Sequence, residues 1–295
     1  MAAKGVPLDA TPFDEHVRLI AADAAVVVLT MAATFVFCTK PGSTLHDRLV
    51  LTHEVWWYPF VFVLLFNAFA ATYHLSPTVA TRWTGSCAES SRFFRLYVAA
   101  QLAAIPVELL TAGRKALPML GHHVVSIASY VYGLHSRRCA FFGTAAGLSE
   151  VSTIFLEGVL LSKRPDLGWL FDNVPWFLPL NGALLWLTYI IFRLALFPTL
   201  LAVYVHDSWF APSKEARKLT TWPVARHCVY VIPISLVFLF FLSAAWFSKI
   251  HRGFMDKVVG ALRSKEASSS AKDDAAAAQC VGPARSNGVR AAKLD

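Results

Sequence analysis

The sequence predicts an all-α protein, a multi-pass transmembrane bundle of about seven helices. Hydrophobic residues make up 56% of the 295-residue chain and charged residues only 16%, whereas a soluble domain usually carries about 25% charged residues. The apolar residues gather into runs of about 20 residues, the length that a helix needs to cross a bilayer. Pro, Gly and basic residues lie at most junctions between the runs, where they end helices and favour the headgroup layer.

The runs define the predicted elements in chain order. Residues 1–16 form a short N-terminal segment whose acidic character, with the length of the run that follows, argues against a cleaved signal peptide. The sixth run is about 30 residues long, so it must tilt, kink or extend beyond the hydrocarbon. The predicted spans are 17–38, 55–75, 93–112, 119–135, 140–161, 176–205 and 228–250.

The last six spans, within residues 50–250, form the predicted membrane domain, and residues 251–295 form a basic tail. The tail holds eight Lys or Arg against five acids and almost no large apolar residue after Leu262, which predicts a disordered segment on the cytosolic side. Seven spans then place the N-terminus on the lumenal or outer side.

The net charge of +8 is spread over short clusters between apolar runs. That pattern suits loops held against anionic headgroups, whereas a nucleic-acid-binding protein gathers its basic residues on one face. The five cysteines are scattered without a CxxC pair, which argues against a disulfide framework and a structural zinc site.

Polar residues inside the predicted spans are the candidate functional residues, because an ionisable group in the bilayer costs several kcal/mol unless it is paired or faces a cavity. Asn67, Gln101 and Asn181 accompany them as neutral polar residues. The ionisable candidates are Asp23, His74, Glu108, His122, His123, Glu150, Glu157 and Arg193.

The fourth span carries a polar strip. Helical spacing places His123, Ser126 and Tyr130 on one stripe, and His122 on the neighbouring stripe. The strip should face other helices or a cavity rather than lipid. Serines in such a strip also serve as plain contacts between helices.

The fifth and sixth spans also turn polar groups inward. Glu150 and Glu157 are seven residues apart and share a stripe with Thr153. Arg193 in the sixth span needs a partner as a buried cation, and Glu150, Glu157 or Glu108 could supply it. Together the three spans predict a bundle with a polar interior.

Several familiar chemistries are excluded by motif. There is no HExxH for a zinc protease and no G-x-S-x-G elbow for a serine hydrolase. One His-His pair is too few for a membrane di-iron site, and the motifs of seven-helix receptors are missing. No metal ligand set and no resident cofactor are predicted.

The order of the polar motifs resembles a TLC-domain protein, the family that includes ceramide synthases and smaller lipid-related membrane proteins. The resemblance covers about residues 50–250. Where ceramide synthases carry His-Asp and a further Asp, this chain has Ser149-Glu150 and Thr153, so it is more similar to the smaller members. The matching residues are His122, His123, Ser126, Tyr130, the stretch 148–153, Asn181, Gly182, Arg193 and Pro198.

The resemblance implies an endoplasmic reticulum membrane protein of lipid homeostasis that binds or senses an acyl-chain lipid in an intramembrane cavity formed by the six later helices. His122, His123 and Glu150 are the candidate catalytic residues. The candidate lipid-binding residues are Ser126, Tyr130, Thr153, Asn181 and Arg193.

Two alternatives remain open at this point. One is an acyl-CoA-dependent acyltransferase, in which a histidine acts as base or transient acyl acceptor and Glu150 orients its ring. The other is a non-enzymatic cargo or translocon-associated factor. The expected partners are membrane lipids, with acyl-CoA as co-substrate if the protein is an acyltransferase; no nucleic acid is expected, and a homodimer is left open.

Overall fold

A computed structural model of the protein describes residues 9–38, 43–113, 117–164, 173–209 and 228–280. Within these ranges every regular element is helical, which confirms the all-α class. The chain divides into two units after Ser248. The first unit contains the candidate site, and the second unit is helical as far as Cys280.

The helices follow the predicted spans closely, although α2 begins ten residues before the predicted second span. A 3₁₀ turn at Leu148–Glu150 joins α6 to α7, and a π-helical turn at Ile190–Ala195 joins α8 to α9. The helices are α1 Phe13–Cys38, α2 Leu45–Leu75, α3 Val79–Thr84, α4 Ala88–Ala112, α5 Leu117–Ser136, α6 Ala140–Gly147, α7 Val151–Ser162, α8 Phe177–Tyr189, α9 Leu196–Trp209 and α10 Cys228–Cys280.

Six helical stretches in the described ranges are long and apolar enough to cross a membrane, as a multi-pass bundle requires. Helix α5, the predicted fourth span, is outside this set, because its two adjacent histidines and its serines lower its mean hydropathy. The six stretches are Phe13–Phe37, Leu45–Leu75, Val79–Ala112, Ala140–Ser162, Phe177–Trp209 and Tyr230–Gly260.

Contacts at one end of the bundle establish the direction of the early helices. The Asp9 amide donates to the Ser86 carbonyl at 3.2 Å, and the Cys139 amide donates to the Trp83 carbonyl at 3.0 Å. The Arg137 guanidinium donates to the Thr11 carbonyl. The N-terminal segment and the connections before α4 and α6 therefore share one end, here called the N-terminal end, as alternating spans require. The far end is the one at which α2 begins and α4 finishes.

An aromatic core joins α4 to α5 near the middle of the bundle. The ring of Tyr130 stacks on Phe94 at 5.0 Å between centroids and meets Phe93 and Tyr97 edge-on at 5.5 and 4.9 Å. Gly147 on α6 makes room for this core, because a Cβ there would lie 2.2 Å from Phe93 Cζ. The polar strip of α5 therefore faces the interior, with His123, Ser126 and Tyr130 all buried.

The first part of the predicted tail lies within helix α10. Helix α10 continues through the predicted membrane boundary to Cys280. Ala, which is frequent between residues 261 and 280, favours helix even where no apolar face is available for packing. The remainder of the predicted tail, residues 281–295, lies outside the described residues.

Candidate functional site

A chain of hydrogen bonds connects α4, α7 and the π turn in the middle of the membrane domain. The Tyr97 hydroxyl donates to Glu150 Oε1 at 2.9 Å, and the Thr153 hydroxyl donates to Glu150 Oε2 at 2.7 Å. Arg193 then donates from Nη2 to Thr153 Oγ1 at 3.1 Å and from Nε to Ser152 Oγ at 2.8 Å. These five residues are called the central network. Each is at least nine-tenths buried.

Irregular helix turns place the two charged members of the network. Glu150 is the last residue of the 3₁₀ turn between α6 and α7, so its side chain points toward α4 while Thr153 on the following turn can still reach it. Arg193 lies inside the π turn. Such wide turns shift the register of a helix and recur at functional positions, and here the turn directs the guanidinium at α7.

The sequence analysis left open which acid partners Arg193, and in the structure the contact with an acid is indirect. Its guanidinium donates to the hydroxyls of Ser152 and Thr153, and Thr153 relays the contact to the Glu150 carboxylate. Of the three acids considered, Glu150 is therefore the relevant one, with a hydroxyl between the two charges. The guanidinium carbon also lies 5.2 Å from the ring centroid of Tyr189, a cation–π distance.

The two adjacent histidines face different partners, because neighbouring helix positions point about 100° apart. His122 Nε2 lies 3.5 Å from the Tyr97 hydroxyl, which attaches it weakly to the central network. His123 Nε2 lies 2.8 Å from Glu108 Oε1. The expectation that Glu150 orients the active imidazole is therefore wrong for His123, whose ring is held by Glu108.

Ser126 and Tyr130 line a pocket. The pocket lies between α5, α6 and the membrane portion of α10, with Phe94 of α4 at one side, and holds an empty volume of about 570 Å³ that includes space open to the surroundings. Apolar side chains such as Leu236 and Leu239 form most of its wall, and the Ser129 and Ser235 hydroxyls bond to each other at 2.8 Å beside it.

Asn181 makes a hydrogen bond between two helices. Its Nδ2 donates to the Phe155 carbonyl at 2.7 Å, which joins α8 to α7. A Cβ at Gly158 would lie 2.9 Å from both polar atoms of the Asn181 amide. Asn181 therefore joins two helices and is not among the residues that line the pocket with Ser126 and Tyr130, whereas the sequence alone led us to expect that it binds lipid.

Tyr97 is the member of the site that sequence reasoning did not single out. A lone tyrosine in an apolar helix looks like a core aromatic, and Tyr97 does pack in the aromatic core. The available signal is spacing, because Tyr97, Gln101 and Glu108 lie four and seven residues apart and so share one face of α4.

The arrangement supplies a partly buried His–carboxylate pair, a fixed guanidinium and an apolar pocket. Among the residues that the structure describes, no group of three or more His, Cys, Asp or Glu side chains is placed to hold a metal ion. The groups present could orient a polar headgroup or move a proton, while the pocket could hold a hydrocarbon chain.

The fold and the site define a multi-pass helical membrane protein whose interior carries polar groups. The TLC domain family model matches residues 21–252. The chain therefore belongs to the TLC-domain family, as the motifs on α5, α7 and α8 indicated. Searches of curated proteins and of solved structures give no match.

Proposed function

We propose that the protein binds an acyl-chain lipid in the pocket between α5, α6 and α10 and takes part in membrane lipid homeostasis. The observation that carries this proposal is the position of Tyr130. Its ring lines the apolar pocket and meets Tyr97 edge-on at 4.9 Å, and Tyr97 bonds to Glu150. A single layer of rings thus separates hydrocarbon-like space from the central network.

An apolar pocket beside a polar network suits an amphiphilic ligand. Ligand pockets are typically apolar with a few placed polar groups, and the lining of this pocket with its adjoining network has that character. Membership of a lipid-related family supports the proposed lipid binding, and it also supports our proposal that the protein belongs to the endoplasmic reticulum membrane. Sensing or binding requires no chemical step, so this function needs only the pocket and the polar groups beside it.

The test is lipid extraction from purified full-length protein followed by mass spectrometry. Leu239→Trp places an indole in the pocket lining and should lower the amount of co-purifying lipid. Val237→Trp adds the same group on the same helix at a side chain that is 39% exposed, and should leave lipid content unchanged. Equal lipid content in both variants, or no co-purifying lipid in the wild type, would contradict the proposal.

A second candidate is acyl transfer from acyl-CoA, which the His123–Glu108 pair favours. A carboxylate at 2.8 Å from Nε2 fixes the ring and stabilises its protonated form. His123 Nδ1 would then accept a proton from a substrate amine or alcohol. At the same time the nitrogen or oxygen of that substrate would bond to the carbonyl carbon of the acyl-CoA thioester. The C–S bond breaks, and the CoA thiolate leaves with a proton returned from the imidazolium.

The test of this second candidate is an acylation assay in membranes that compares wild type with His123→Ala and Glu108→Gln. Both changes should lower the rate, His123→Ala by about 10²-fold or more, as for loss of a general base. His135→Ala, an exposed histidine near the other end of α5, is the matched control. Equal activity in all four proteins would retire the mechanism and leave the binding function standing.

A further inference from the structure

A second group of polar side chains lies toward the far end of the bundle, where His53 of α2, Glu108 of α4 and His123 of α5 come together. We call this group the far-end cluster. One polar atom of each side chain is sealed from solvent and has no hydrogen-bond partner among the described residues. These atoms are His53 Nε2, Glu108 Oε2 and His123 Nδ1.

The three side chains lie near one another at this end of the bundle. His123 and Glu108 are joined at 2.8 Å, and His53 lies within electrostatic reach of both. The His53 ring is held by stacking on Trp57 at 5.9 Å between centroids. Three separate helices thus fix three open hydrogen-bonding positions.

The open positions continue inward along α4. Gln101, which is seven residues before Glu108 and therefore on the same face, has an Oε1 atom that is also sealed and lacks a partner within the described ranges. Its side chain is 2% exposed. Tyr97, one turn further, belongs to the central network. A row of hydrogen-bonding sites therefore leads from the far end toward Glu150.

Several polar residues that join helices elsewhere in this bundle have their polar atoms paired. In this same bundle the Ser129 and Ser235 hydroxyls bond to each other, and the Asn181 Nδ2 atom bonds to a backbone carbonyl. A buried polar atom without a partner costs free energy, so several of them in one region indicate that a further molecule satisfies them.

The chemistry of the open atoms limits that molecule. Glu108 Oε2 and Gln101 Oε1 are oxygens of acceptor groups, and the imidazole nitrogens can accept or donate. The Glu108 carboxylate already bonds to His123 through Oε1, so the ligand need not bring a cation, and an anionic headgroup would meet a carboxylate. Hydroxyl groups, which donate and accept, fit all the open positions.

We propose that the far-end cluster binds the uncharged, hydroxyl-bearing headgroup of a lipid, which makes His53 and Glu108 determinants of headgroup specificity. The proposal rests on the proposed lipid-binding function, because it assigns the headgroup of the lipid whose chain the protein holds. It adds His53 and Gln101 to the site, two residues that the TLC-type motifs do not include.

The experiment measures binding to full-length protein in phosphatidylcholine nanodiscs, with monooleoylglycerol, methyl oleate and lysophosphatidic acid as probes of one chain length. Monooleoylglycerol should bind at least about tenfold more tightly than methyl oleate, since hydrogen bonds to charged or buried groups account for such a factor. Lysophosphatidic acid should bind no better than methyl oleate.

Two variants and one control locate the preference. His53→Phe keeps the stacking on Trp57 and removes Nε2, and Glu108→Leu removes both carboxylate oxygens. Each should reduce the preference for monooleoylglycerol over methyl oleate to less than about threefold, a loss of most of the hydrogen-bond contribution. His135→Phe, an exposed position on α5, should keep it. Thermal unfolding in the nanodisc confirms that each variant is folded.

The outcomes separate this proposal from the function on which it rests. If methyl oleate binds as tightly as monooleoylglycerol, or if both variants keep the hydroxyl preference, the headgroup assignment is overturned and the pocket function stands. If lysophosphatidic acid binds best, the uncharged headgroup is overturned. If no probe binds the wild type, the lipid-binding function itself fails.

Discussion

The Tyr97 hydroxyl on helix α4 and the Glu150 carboxylate on the 3₁₀ turn before α7 are joined by a buried hydrogen bond of 2.9 Å. The bond is the point at which the aromatic core meets the polar interior, because the Tyr97 ring packs on Phe93 and Tyr130 while its hydroxyl faces Glu150. His122 approaches the same hydroxyl at 3.5 Å. One phenol group therefore contacts the histidine motif, the acid and the pocket wall.

Removing that hydroxyl should destabilise the protein. Tyr97→Phe keeps the ring in the aromatic core but leaves Glu150 Oε1 without its donor, which should lower the free energy of unfolding by about 1–3 kcal/mol. Thermal or denaturant unfolding in detergent micelles measures the change. Tyr73→Phe, at a side chain that is 76% exposed, is the control, and equal stability of the two variants would show that the bond contributes little.

The pair between Arg82 and Asp207 should be a major contact between α3 and α9. The guanidinium bonds Asp207 through Nε at 2.7 Å and Nη2 at 2.6 Å, and the carboxylate is fully buried. Asp207→Asn leaves a charged guanidinium largely buried without its counter-charge, so we expect a loss of about 3–5 kcal/mol. Unfolding measurements at several salt concentrations test this.

Two comparisons make the Asp207 result specific. Asp14→Asn, at an exposed position in the first turn of α1, should change stability by less than about 0.5 kcal/mol. The double change Arg82→Met with Asp207→Leu removes both charges and should cost less than Asp207→Asn alone. If the double variant has a lower free energy of unfolding than Asp207→Asn, the ion pair is not the source of the lost stability.

The size of residue 147 should control the packing of the aromatic core. In Gly147→Ala the new methyl group would lie 2.2 Å from Phe93 Cζ, so the buried ring must move, and overpacking of this kind costs about 1–3 kcal/mol. Unfolding temperature is the readout. Phe93→Leu in the same chain should recover part of the loss, because it withdraws the atoms that clash.

Gly182→Ala is the matched control for Gly147→Ala. It lies in helix α8 with nothing within 4 Å of the added Cβ, so alanine should be neutral or stabilise the helix by up to about 1 kcal/mol. Equal effects at the two glycines would mean that contact with Phe93 is not what limits residue 147.

The docking of the N-terminal segment should depend on pH through Asp9, which precedes α1. Burial raises the pKa of Asp9, but hydrogen bonds from Thr11 and Ser91 together outweigh burial and hold this pKa below its usual value. A lowered pKa in the folded state means that the contribution to stability is present above pH about 4 and is lost as pH falls through the lowered pKa.

Amide hydrogen exchange measures that docking, since the Asp9 amide donates to the Ser86 carbonyl. Protection of the Asp9 amide should begin to fall near the usual carboxyl pKa of about 3.9 and should continue to fall as the pH passes through the lowered pKa of the folded state. In Asp9→Asn the same amide should show a smaller change over this range. An identical pH profile in both proteins would show that another group controls the segment.

The sequence was sufficient to predict the helices and which of their faces are buried. Long apolar runs predict helices whatever their neighbours are, and helical spacing predicted that His123, Ser126 and Tyr130 share a buried stripe, which the structure confirms. The family followed from the motifs on three spans and is confirmed by the TLC domain match over residues 21–252.

The partners within the site could not be predicted in the same way. Which acid meets His123 depends on how α4 packs against α5, and the sequence suggested Glu150 where the structure has Glu108. The relay of Arg193 through Thr153 depends on the π turn, which arises from packing between helices rather than from local composition. Asn181 was predicted to bind lipid because the sequence does not reveal which group an amide at membrane depth hydrogen-bonds to.

The wide turn at Ile190–Ala195 makes chain length in this stretch as important as residue identity. A π turn accommodates about one residue more than regular α winding, so it absorbs that residue while the two halves of the helix keep about the same relative rotation. Deleting one residue inside the turn should therefore leave Asn181 and Asp207 facing their partners, but it should turn the Arg193 guanidinium away from Ser152 and Thr153. Substitutions at the outward-facing Ile191 should be tolerated, whereas a one-residue deletion in the regular part of α9 before Asp207 would rotate Asp207 by about 100° away from Arg82.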